Sequence, residues 1–106
     1  MRKLIFTRRK TFIACLGKLK VYMCDATSNE IVINNYNCRL LGVVKNGETV
    51  TFEIPNEEIR LFGIWGKMSK NYCNGTTVIP AGNDDVILGG IATYNPFTGN
   101  PFQFDK

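Results

Sequence analysis

From Leu19 the chain alternates. Leu19, Val21 and Met23 take one parity; Lys18, Lys20, Tyr22 and Cys24 take the other. Period-two alternation marks a strand with one buried face. The same pattern predicts an earlier strand around Lys3–Thr7, with Arg8-Arg9-Lys10 as its exit or an exposed continuation. Residues 25–30, Asp-Ala-Thr-Ser-Asn-Glu, read as a polar loop. Ile31-Val32-Ile33 is a short strand, and Asn34-Asn35 suits a tight turn because asparagine tolerates positive φ. Tyr36–Arg39 then returns.

Asn46-Gly47 predicts a two-residue type I′ hairpin. In that register Lys45 faces Glu48, Val43 faces Val50 and Leu41 faces Phe52, and Pro55 ends the second strand. Ile59–Gly66 has two readings. Asn56 would cap a helix carrying Ile59, Phe62 and Trp65 on one side, but Gly63 and Gly66 each weaken a helix interior by about 1 kcal/mol. A central strand, apolar on both faces, is favoured. Ser69–Gly75 is loop-like, Thr76–Ile79 a strand, Pro80–Asn83 a turn, and Val86–Tyr94 a strand whose Gly89-Gly90 pair marks a bulge or a close approach. Asn95–Pro101 is turn-rich, and Phe102-Gln103-Phe104 closes the chain. Together these predict a single all-β domain over residues 1–106. Its architecture is an antiparallel β-sandwich or small barrel of seven to eight short strands, with little or no helix.

Composition changes the picture mainly by exclusion. The chain has 106 residues and no histidine, which removes Ser-His and Cys-His nucleophiles and imidazole ligands. The four cysteines, at 15, 24, 38 and 73, lack the close-spaced pairs of a zinc site, so free buried thiols are expected; Cys24 and Cys38 flank one segment, which leaves an approach between them open. Arg8, Arg9 and Lys10 interrupt any signal-peptide core, and no apolar run approaches the roughly 20 residues of a membrane span. The expectation is a cytoplasmic protein with reduced thiols. The rival is a secreted domain with two disulfides, to which the sequon Asn74-Gly75-Thr76 would belong.

The net charge of +4 hides an asymmetry. Residues 1–24 hold seven basic residues and no acid, while residues 25–106 hold six basic and nine acidic. Arg8, Arg9, Lys10, Lys18 and Lys20, with Tyr22 among them, are the candidate polyanion site. The competing reading is an edge that Lys and Arg protect from strand pairing. The adjacent pairs Glu57-Glu58 and Asp84-Asp85 flank turns, where extended neighbours point apart, so no convergent acid/base pair is expected. Gly82–Asp85 lacks the alternating ligands of a calcium loop. The tripeptide Asn-Pro-Phe occurs at 95 and again at 100; it resembles an endocytic adaptor ligand, and a turn before an anchoring aromatic explains it too.

The stretch Arg8-Arg9-Lys10-Thr11-Phe12 through Lys18-Leu19-Lys20-Val21-Tyr22, followed by Gly42-Val43-Val44-Lys45-Asn46-Gly47-Glu48 and its closing strand, resembles small bacterial, Firmicutes-type β-sandwich domains of unknown function, loosely PEGA-like. The loop from Asp25 to Leu41 is longer than in that pattern, and its glycine-x-histidine turn is absent. The resemblance implies a sandwich and transfers no catalytic residue. The expected function is a non-catalytic protein-interaction or accessory module, with no cofactor and no metal, binding an unknown protein partner. The alternative is a weak, sequence-independent nucleic-acid-binding module.

Overall fold

The computed structural model describes residues 1–10, 18–25, 27–65, 75–92 and 102–105, with Trp65 and Ala92 described by backbone alone. The readings at Phe12, Cys15, Ser69–Asn74, Cys73 and Asn95–Pro101 lie outside the described residues. Nine strands and no helix occur among those described. They are β1 (Arg2–Arg9), β2 (Leu19–Cys24), β3 (Ile31–Ile33), β4 (Tyr36–Val44), β5 (Thr49–Ile54), β6 (Ile59–Trp65), β7 (Gly75–Ile79), β8 (Val86–Ala92) and β9 (Phe102–Phe104).

They form a β-sandwich. One sheet has the order β5-β1-β8-β9, the other β3-β4-β2-β6-β7. Every described pairing is antiparallel except β1–β8, which is parallel. Alternation delivers the core. Leu4 and Phe6 from β1 meet Leu19, Val21 and Met23 from β2, all at 0% exposure. Ile54, Ile59, Leu61, Leu88 and Phe102 complete that cluster. Residues 59–65 are a central strand, as their two apolar faces require: Ile59 and Leu61 enter the main core, while Phe62 and Ile64 join a second cluster on the outward side.

The expected Asn46-Gly47 hairpin is corrected. β4 and β5 belong to different sheets, so Val43 pairs with Lys20, Val50 with Phe6 and Phe52 with Leu4. Positive φ falls on Gly47 alone, at 77°, the type II pattern rather than I′. A type II turn splays the strands it joins, which suits a crossing from one sheet to the other. The Glu48 amide still closes the turn on the Lys45 carbonyl at 3.0 Å. The I′ geometry occurs instead at Asn34-Asn35, with φ of 50° and 71°. Between Val21 and Tyr22 the β2–β4 register slips by one, leaving Leu41 as the extra residue of a bulge. The bulge puts Leu41 against the core and Val43 on the outward face, 40% exposed, not on one side as the simple alternation predicts. At Gly90 the expected close approach is real: a Cβ there would collide with the Phe102 ring.

Candidate functional site

The six basic-segment residues do not share a surface. Inward parity on β1 runs Arg2, Leu4, Phe6, Arg8, so Arg8 is at 0% exposure and its guanidinium donates to the Val44 carbonyl at 3.0 Å. Burial pushes its pKa down. Arg8 is therefore an interior residue, which corrects its place in the polyanion patch. Arg9 points out from the four-stranded sheet and pairs with Asp105, whose hydrogen bond raises the Arg9 pKa. A Cβ on Gly89 would strike that pair. Lys10 is exposed, its stem beside Gly47. Lys18 is exposed just before β2. Lys20 and Tyr22 do share the outward side of the five-stranded sheet, as expected, with Lys20 exposed and Tyr22 half-buried. Burial, then the charge of Glu30, raises the Tyr22 pKa. Arg9 and Lys20 thus stand on opposite faces of the sandwich.

The thiol expectation is also corrected. Cys24 and Cys38 face each other in the β2–β4 ladder, Cα atoms 4.2 Å apart, and form a disulfide. Direct antiparallel opposition puts two Cβ atoms within bonding reach of a sulfur pair. The bond lies on the outward face of the five-stranded sheet beside Phe62, with Ile31 and Tyr22 packed around it. The loop between the two cysteines is held by Asp25, whose Oδ1 accepts from the Thr27 amide, the Thr27 hydroxyl and the Ser28 hydroxyl at 3.0, 2.9 and 2.7 Å.

Parity and register assign the rest of this face. Ile31 and Ile33 point out from β3, and Tyr36, Cys38, Leu40 and Val43 from β4. Phe62 and Ile64 point out from β6, and Val78 from β7. Lys20, Arg60 and Thr76 are its polar members. Tyr36, Leu40, Val43 and Val78 remain 38–46% exposed. Sequence reasoning missed this face because it depends on the bulge at Leu41 and on the strand order that sets β4, β2, β6 and β7 side by side.

One member of each acidic pair contacts β1, Asp85 through its carboxylate and Glu57 through its main-chain carbonyl. Asp85 Oδ1 accepts from the Lys3 amide at 2.9 Å, and the Glu57 carbonyl accepts from Arg2. Among the described residues no three of Cys, Asp and Glu gather as metal ligands would. Among them, too, no helix is long and apolar enough to cross a membrane. Protein-family models, curated proteins and solved structures yield no match to this chain.

Proposed function

We propose that the domain is a non-catalytic protein-interaction module that docks its partner on the outward face of the five-stranded sheet. One observation carries this. Of the outward positions just named, only Lys20, Arg60 and Thr76 are polar, and the exposed side chains of Tyr36, Leu40 and Val43 on β4 and Val78 on β7 flank a buried, disulfide-braced strip. Contiguous exposed apolar surface ringed by polar groups is what docking sites present. The four-stranded sheet offers less: Ile87 stands out from it at 77% exposure, but its other outward positions include Lys3, Thr7, Thr49, Thr51 and Glu53. The likeness to small bacterial β-sandwich domains is part of the proposal. A disulfide supports an oxidising compartment, against the cytoplasmic expectation.

The test places a photo-crosslinking amino acid at Leu40, Val43 or Gln103 in the cells that make the protein. One partner should be captured from positions 40 and 43, and not from 103 on the opposite sheet. Equal capture from all three, or none, would dismiss the docking face. Turnover in a hydrolase screen of the purified chain would dismiss the non-catalytic reading.

A further inference from the structure

At one end of the same face, where the β3–β4 turn approaches the link from β5 to β6, lies an open pocket of about 420 Å3. Its lining includes Asn35, Tyr36, Asn37, Glu58, Arg60 and Val78. The Tyr36 ring leans against Phe62, centroids 5.7 Å apart, yet the residue stays 46% exposed. The Arg60 guanidinium lies over the face of the same ring, 5.1 Å from its centroid, and donates to Thr76 Oγ1 at 3.1 Å. Arg60 thus covers one side of the Tyr36 ring and Phe62 braces it, and the part left open to solvent is a supported aromatic surface. Asn35 is fixed in the left-handed region by the I′ turn, so its amide is presented from a rigid corner.

The polar rim selects the ligand class. Glu58 supplies acceptors, Arg60 donors, and the amide of Asn35 both. Asp25 also lines the pocket, with Oδ1 already engaged by Thr27 and Ser28. A cation entering here would meet Arg60, and an anion would meet Glu58 and Asp25. A wholly apolar group would strip water from these polar groups without replacing their hydrogen bonds. What matches is a neutral molecule with one apolar C–H face and a rim of hydroxyls that each donate and accept. We propose that this pocket binds a neutral saccharide, with a pyranose ring stacked on Tyr36. The proposal goes beyond the protein-docking reading: the pocket shares Tyr36, Arg60 and Val78 with that face, but a sugar titration of the isolated chain stands or fails without any protein partner.

The full chain, 15N-labelled, is titrated separately with cellohexaose, xylohexaose, maltohexaose, chitohexaose and the anionic trigalacturonate while amide spectra are recorded. At least one neutral oligosaccharide should shift the amides of Asn35, Tyr36, Asn37 and Arg60. Tyr36→Ala should weaken that binding about tenfold, the scale of one lost aromatic contact. Tyr36→Phe, which keeps the ring, should bind like the parent. Undisturbed spectra elsewhere confirm that each variant is folded. Three results would overturn the proposal: no neutral sugar moving these amides up to its solubility limit, Tyr36→Ala binding as well as the parent, or trigalacturonate binding more tightly than every neutral arm.

Discussion

Arg2 and Arg8 sit at the two ends of the inward row of β1, with Leu4 and Phe6 between them. Arg2 is 5% exposed and donates to the carbonyls of Pro55, Glu57 and Pro80 at 3.0, 3.2 and 2.7 Å. One guanidinium fork therefore ties β1 to the β5–β6 link and to the end of β7. Hydrogen bonds from a charged donor are worth about 1.5–3 kcal/mol each, and their loss leaves carbonyls unsatisfied. Arg2→Ala should cost about 2–4 kcal/mol in urea unfolding. Arg2→Lys should restore little of it, since a single ammonium cannot serve three carbonyls in a fork geometry. Wild-type stability for Arg2→Lys would show that charge, not geometry, matters there. Both arginines were legible in principle. The parity set by Leu4 and Phe6 extends to residues 2 and 8, but a basic triplet reads as surface unless the alternation is carried through it. Asp25 adds a pH signature. Burial alone would raise its pKa, but the hydrogen bonds from Ser28 and Thr27 together hold it below the ordinary carboxylate value. A depressed folded pKa gives stability that is present above the unfolded pKa and lost as pH falls through the folded one. The urea midpoints of the parent and Asp25→Asn should accordingly converge as the solution is acidified. A gap independent of pH would assign the effect to hydrogen bonding alone.

At the scale of elements, local chemistry identified most strands and hid their partners. β2 follows from alternation, β3 and β6 from short apolar runs, and the Asn34-Asn35 turn from the tolerance of asparagine for positive φ. The sheet switch after Gly47 and the parallel β1–β8 pair were not legible, because both depend on contacts between distant segments that no turn residue encodes. The disulfide is the sharpest case. Spacing put Cys24 near Cys38, but only the β2–β4 register, slipped by Leu41, sets them face to face. The bond closes a sequence separation of 14 residues, for which chain entropy gives about 3 kcal/mol. Reduction, or a Cys24→Ala/Cys38→Ala double variant, should lower the unfolding free energy by about 2–3 kcal/mol. Alkylation of the unfolded chain without reductant should leave both residues unmodified, as intact mass and peptide mapping report. Labelling of Cys24 and Cys38 in that experiment would show them reduced. Gly90 belongs to this scale too, since the Phe102 ring of β9 occupies the space of its missing side chain. Gly90→Ala should force that ring aside and cost about 1–3 kcal/mol.

Over the whole molecule, the basic N-terminal segment is dispersed by the fold. Seven positive charges precede the first acid in the sequence, but a sandwich deals successive side chains to opposite directions. Arg2 and Arg8 go inside, where their donors meet carbonyls. Lys3 and Arg9 go to the outward side of one sheet, and Arg9 is paired with Asp105. Lys20 goes to the outward side of the other, between Val43 and Ile64. The smallest extent of the molecule, 19 Å, exceeds the Debye length of about 8 Å at physiological ionic strength, so charges on the two faces do not sum at a common ligand. Nucleic-acid affinity grows with the number of phosphates contacted at once, and the fold divides the described cations of this segment between the interior and two opposite faces, so few of them meet one duplex together. The expected outcome is no duplex or single-strand binding by fluorescence anisotropy at physiological salt, and only weak association, lost on adding salt, at low ionic strength. Lys18→Ala/Lys20→Ala should abolish what remains, while Arg9→Ala, on the opposite face, should leave it unchanged. Nanomolar binding that persists at elevated salt would mean that the dispersed cations are gathered by a second copy of the chain, and size-exclusion chromatography in the presence of the oligonucleotide would then show two chains on each duplex.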